Sequence, residues 1–217
     1  MNVLEFDSLY LSFAGRNVLS SVHMICRTGR IVALLGRNGS GKSCLMKIVF
    51  GTLTAEFKSV RYNGAPLTNS HTEQVVAYLP QDHFVPPFLT FSNAASWFGV
   101  EERKLESAFE DWRSMKECRV DEVSTGQRRM LEVLLVLHGK HPFCILDEPF
   151  SGLAPVQVEW LTSELDEARK TKGIILTDHL HRQVRSIADD VYVLVNGQTR
   201  KVFEPEQLIE FGYVNEI

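Results

Sequence analysis

Ile31-Val32-Ala33-Leu34-Leu35-Gly36-Arg37-Asn38-Gly39-Ser40-Gly41-Lys42-Ser43 decides the fold. Five apolar residues between glycines predict a strand buried on both faces. Leu45, Met46, Ile48 and Val49 then follow at helical spacing. Between them Gly36 to Ser43 has the form Gly-x4-Gly-Lys-Ser, in the strand–loop–helix context that a phosphate-binding loop requires. Gly36, Gly39 and Gly41 let the backbone of Asn38, Ser40 and their neighbours wrap a phosphate with successive N–H groups. The helix start adds the positive end of its dipole. Lys42 supplies a point charge to the β- and γ-phosphates, and the Ser43 hydroxyl suits Mg²⁺.

Working outward, a second buried strand, Phe143-Cys144-Ile145-Leu146, ends in Asp147-Glu148. Alone, this is as readily a strand end with solvated acids. Downstream of a phosphate loop, Asp147 reads as a holder of the Mg²⁺ shell and Glu148 as the group that orients or deprotonates a water. Gly126–His138 predicts a buried helix, Val156–Lys172 an amphipathic one, and Gly173–Leu176 and Val191–Val195 two further strands. Strands alternating with helices argue for a parallel sheet covered on both faces. The first 25 residues alternate loosely, with a turn at Ala14-Gly15-Arg16-Asn17, and Asn63-Gly64 marks a hairpin; both predict antiparallel strands. After Pro86-Pro87, residues Trp97, Phe98, Leu105, Phe109 and Trp112 recur at roughly helical spacing and predict a small helical insert.

The 217 residues carry 23 basic and 27 acidic side chains, a net charge of −4, with 44% apolar residues. That composition excludes a disordered or fibrous chain and argues against a general nucleic-acid surface. No apolar run approaches the roughly 20 residues that span a bilayer. No secretory signal or myristoylation glycine stands at the start. Cys26, Cys44, Cys118 and Cys144 lack metal-type spacing and read as reduced thiols.

Val123-Ser124-Thr125-Gly126-Gln127-Arg128-Arg129 resembles the signature motif of the ATP-binding cassette (ABC) ATPases, with Val123 and Thr125 departing from the usual Leu-Ser-Gly-Gly-Gln. The spacing to Asp147 suits that family. Other elements fall in family order. Phe13 resembles the aromatic that stacks on adenine, with Val18 beside it. Gln81, in Leu79-Pro80-Gln81, resembles the glutamine that senses Mg²⁺ and the γ-phosphate. His179, in Thr177-Asp178-His179, resembles the switch histidine. Ser151-Gly152-Leu153-Ala154 resembles the loop that crosses to a second subunit, and Gly-Leu-Ala-Pro there is similar to the branched-chain amino-acid importer subgroup. Cys44 stands where the family usually has Thr, and Ala154 where many members have Asp. A thiol donates a weaker hydrogen bond to an α-phosphate.

The resemblance implies a P-loop NTPase (RecA-like) α/β core at about 31–57, 69–85 and 124–217. It implies an antiparallel β subdomain at about 1–30 and 58–68 and a helical subdomain at about 86–123. It implies an ATPase using ATP and Mg²⁺. Glu148, His179 and Gln81 would be catalytic, and Ser43, Gln81 and Asp147 would lie at the metal. Ser124, Thr125, Gly126 and Gln127 would contact ATP held by a second subunit in a head-to-tail homodimer or heterodimer. A separate transmembrane permease subunit is the implied partner, received near Gln81 and Phe84–Leu89, with no nucleic acid; the chain would sit on the inner face of the cell membrane through that partner. The alternative within the resemblance is a soluble ABC ATPase of translation or chromosome maintenance. The last stretch, Glu204–Ile217, predicts a short helix and tail.

Overall fold

The computed structural model describes residues 1–109 and 111–213. The last four residues of the helix and tail expected at Glu204–Ile217 lie outside them. The chain opens with β1 (Val3–Phe13), β2 (Arg16–Leu19) and β3 (His23–Arg27). β4 (Ile31–Leu35) leads into α1 (Lys42–Phe50), followed by β5 (Phe57–Tyr62), β6 (Ala65–Pro66), α2 (Asn69–Val75) and β7 (Val76–Leu79). The insert holds α3 (Phe91–Trp97), α4 (Glu102–Ala108) and α5 (Trp112–Met115). Then come α6 (Thr125–His138), β8 (Phe143–Asp147), α7 (Pro155–Ala168) and β9 (Gly173–Thr177). The chain continues through α8 (His181–Ile187), β10 (Asp190–Val195), β11 (Gln198–Val202) and α9 (Gln207–Glu210).

Among the described residues the strands form two sheets. In the antiparallel one, β1 pairs with β3 and β5 along its first half and with β2 along its second. In the other the order is β11-β10-β4-β9-β8-β7, parallel except for β11 at the edge. Parallel pairing sends β4, β7, β8 and β9 out at one edge. Ala33 pairs with Leu176, Leu176 with Leu146 and Leu146 with Leu79, so the four following loops start side by side. Ligands of open α/β sheets bind at that edge.

The period of two divides β4 between two cores. Val32 and Leu34 pack with α1 and the antiparallel sheet. Ile31, Ala33 and Leu35 pack with Leu161 and Leu165 of α7 and Val184 of α8. Helix α6 serves two neighbours: Val133, Val136 and Leu137 face the sheet, and Met130, Leu131, Leu134 and Leu135 face the insert. That double burial explains an apolar run broken only by Glu132.

Of the five residues read as marking the insert, Leu105, Phe109 and Trp112 join Phe91 in its core, and Trp97 and Phe98 lie outside it. The insert is several short helices, and the turn at Gly99 (φ +65°) breaks the helical period. Trp97 is 65% exposed. Helix α7 ends at Ala168, four residues before Lys172. Lys172 instead lies buried with its ammonium on the carbonyls of Gly139 (2.6 Å) and His141.

Candidate functional site

The turn after β4 depends on glycine at two points. Gly41 has φ +105°, and a Cβ there would sit 2.9 Å from Val18 Cγ1. A Cβ on Gly36 would sit 2.9 Å from the Leu194 carbonyl. The loop therefore closes tightly against β2 and β10, with its N–H groups at the start of α1. Lys42, 8% exposed, donates to the carbonyls of Gly36 (2.8 Å) and Arg37 (3.3 Å). Burial pulls its pKa down, while Glu148 and Asp147 oppose that shift.

The three other loops at the sheet edge converge here. Glu148 follows β8 in a left-handed conformation (φ +53°), a strain of about 1–3 kcal/mol for a non-glycine residue. Its N–H donates to the Thr177 carbonyl at 2.8 Å. Its carboxylate is held from both sides: Gln81 Nε2 donates at 3.0 Å, and His179 Nε2 lies 2.7 Å from Oε1. His179 is itself framed by Asp178, whose oxygens accept from the N–H groups of Phe150 (2.9 Å) and Leu180 (3.0 Å). Asp147 is 1% exposed, and Tyr78 donates to its Oδ2 at 3.2 Å. Asp147 Oδ1 has no hydrogen-bond partner among the described residues. An ionised oxygen left that way is costly, and a bound cation would satisfy it.

Gln81, Glu148 and His179 share a cavity of about 430 Å³, which Asp147 does not line. Asn38, Gly39, Gly41, Lys42, Ser43 and Cys44 form its floor, Phe13 and Val18 one flank, and Gln81, Glu148 and His179 the other. Phe13 is 50% exposed. An adjoining cavity of about 930 Å³ shares Phe13, Val18, Asn38 and Gly39 and also takes in Ser40. Its far wall is the Asn196-Gly197 turn and Phe211-Gly212-Tyr213, which carry no motif in the sequence.

Ser124, Thr125, Gly126 and Gln127 line neither cavity. Ser124 caps α6: its Oγ accepts from Gln127 N–H (3.2 Å), and Gln127 Oε1 accepts from Ser124 N–H (3.0 Å). Ser124 and Thr125 are exposed at this helix start. Gly126 is buried against Gln157 of α7. A third cavity, about 330 Å³, is an apolar groove between core and insert that includes Phe50, Tyr78, Phe84, Phe98 and Leu135.

The family model described as "ABC transporter" matches residues 19–151, more than half of the chain. The chain belongs to the ABC transporter family, as one of its ATP-binding chains. It is 24% identical over 100% of its length to the lipopolysaccharide export system ATP-binding protein LptB of Haemophilus influenzae, covering 97% of that protein. It is 28% identical to the high-affinity branched-chain amino acid transport ATP-binding protein BraG of Pseudomonas aeruginosa, over 90% of each chain. A solved ATP-binding subunit of an ABC transporter superposes with a TM-score of 0.84 at 26% identity, covering 97% of this chain and 94% of that one. No helix among the described residues of this ABC chain is long and apolar enough to cross a membrane.

Proposed function

We propose that this ABC chain binds ATP in the 430 Å³ cavity and hydrolyses it to ADP and phosphate to drive a separate membrane permease. The observation that carries the reading is the Glu148 carboxylate, held between Gln81 and His179 at the rim of a glycine-loop cavity floored by Lys42. The triphosphate lies along the loop N–H groups with Lys42 on its β- and γ-oxygens. The base stacks on Phe13 beside Val18. Glu148 takes the proton of the attacking water, and His179 and Gln81 aim that carboxylate. Asp147, with its unpaired oxygen, Ser43 and Gln81 would hold Mg²⁺. When bound, Mg²⁺ supplies positive charge to the β- and γ-phosphate oxygens.

The signature helix start serves a nucleotide on another subunit, so two chains sandwich two nucleotides head to tail. The apolar groove at Phe84 and Phe98, with exposed Trp97 and Phe88 nearby in sequence, receives a cytoplasmic helix of the permease. Membrane association follows from that contact. Likeness to both an export and an amino-acid transport protein leaves the cargo to the permease. The test is Glu148→Gln. Turnover should fall by about 10²–10⁴-fold while ATP binding persists, and the trapped dimer should bring a polytopic membrane protein out of detergent-solubilised membranes. Wild-type turnover refutes the role of Glu148; recovery of soluble partners alone refutes the transporter role.

A further inference from the structure

Glu132 is fully buried in the middle of α6, where an isolated carboxylate would be strongly disfavoured. Its partners come mainly from the loop that carries Gln81. Oε1 accepts from the N–H groups of Phe84 (3.1 Å) and Val85 (3.3 Å), and Oε2 lies 2.8 Å from His83 Nδ1. One turn earlier, buried Arg129 donates from Nη1 to the Pro80 carbonyl at 2.8 Å. From Nη2 it reaches the carbonyls of Asp147 (2.7 Å) and Glu148 (2.9 Å). Arg129 Nη1 and Glu132 Oε2 are 3.6 Å apart, and Arg128 Nε adds a cation 3.4 Å from Oε1.

The pattern is directional. Gln81 is bracketed, with Pro80 held by Arg129 on one side and His83 to Val85 held by Glu132 on the other. The same Arg129 holds the two peptide carbonyls that set the strained turn at Glu148. Both brackets hang from one helix, whose first turn is the exposed signature segment. A carboxylate and a guanidinium that served only the core would not converge on the backbone flanking both ends of the Gln81–Glu148 hydrogen bond.

We propose that Arg129 and Glu132 are positioning residues for hydrolysis. They set the distance between Gln81 and Glu148, and they make that distance follow the seating of the signature helix. The proposal rests on the reading of the cavity as an ATPase centre and adds the device that keeps it aligned.

The experiment uses the full chain with Glu132→Gln, which keeps the shape and removes the charge. We expect ATP affinity within about twofold of wild type and kcat lower by about tenfold or more, an orientation effect without loss of binding. Amide exchange at Phe84 and Val85 should quicken. In a Gln81→Ala background the same substitution should cost less than about twofold, because its effect passes through Gln81. A merely structural role gives a lower melting temperature with unchanged kcat per folded molecule, and full additivity with Gln81→Ala; either result overturns the proposal. Should Glu132→Gln fail to fold, Arg129→Lys carries the test, with kcat expected to fall at unchanged affinity and equal kcat overturning it. A wild-type chain that binds ATP without turning it over overturns the ATPase reading instead. Exchange at Phe84 and Val85 then still decides whether Glu132 tethers the loop.

Discussion

The cavity at the sheet edge and the start of α6 each hold the first turn of a helix, yet they are built oppositely. The cavity is lined by loops of one chain, and Gln81 and His179 already contact Glu148 there. The α6 start is a capped helix end with Ser124 and Thr125 facing outward. Parallel pairing delivers β4, β7, β8 and β9 to one edge, so folding alone brings the cavity's loops together. On the function proposed above, the second is half a site: the nucleotide it would contact is held in the cavity of another chain.

The largest effect that could break this comparison comes from mixing two inactive chains. Lys42→Ala disables the cavity and leaves the signature intact. Ser124→Asp leaves the cavity intact and sets a carboxylate where the γ-phosphate should approach. Each alone should lose nearly all turnover. Mixed one to one in the nucleotide-driven dimer, half the dimers hold one intact composite site, so about a quarter of wild-type activity should return if the sites act independently. No recovery, measured as phosphate release across the mixing ratio, would mean that both motifs act within one chain.

The next effect is smaller and separates the two jobs of Ser124. As a helix cap its oxygen is worth about 1 kcal/mol. Ser124→Ala should lower the melting temperature by about 2–4 °C for a chain of this size. Ser124→Asp keeps a capping oxygen and favours the helix dipole, so its melting temperature should stay within about 1 °C of wild type. Turnover should fall in both. Calorimetry beside an ATPase assay checks this, and full activity in a destabilised Ser124→Ala would leave the residue a cap only.

Much of this contrast is legible in the residues themselves. The apolar runs Ile31–Leu35 and Phe143–Leu146 are strands because nothing else of that length hides apolar side chains on both faces. The loops after them carry local motifs that sequence order alone brings to one edge. What is not legible is non-local or depends on a period that breaks. Arg129 reads as one more base after the signature, and Glu132 as an interruption of an apolar helix. Their significance lies in backbone groups 47 to 49 residues away for Pro80 and Val85, which no spacing rule reaches. Trp97 and Phe98 fit a helical period that Gly99 ends. The wall at Phe211–Tyr213 carries no motif in the sequence.

The smallest effect concerns Cys44, which sits on the cavity floor and sharpens the claim that this half of the comparison is the enclosed one. Burial pushes its thiol pKa up; Lys47 works against the shift and Asp147 adds to it. A raised pKa leaves less thiolate at pH 8, and only the thiolate is alkylated. Cys44 should therefore react more slowly than a free cysteine, and its rate should keep climbing at pH values where an ordinary thiol has levelled off. ATP should slow it by a further threefold or so, both by covering the floor and by bringing negative charge that disfavours the thiolate. Cys26 and Cys144 are buried, and Cys118 lies in the insert, so it serves as the internal control. Peptide-resolved alkylation with and without ATP reads all four. Equal labelling of Cys44 in both conditions, with Cys118 also unchanged, would place the nucleotide elsewhere than against the first turn of α1.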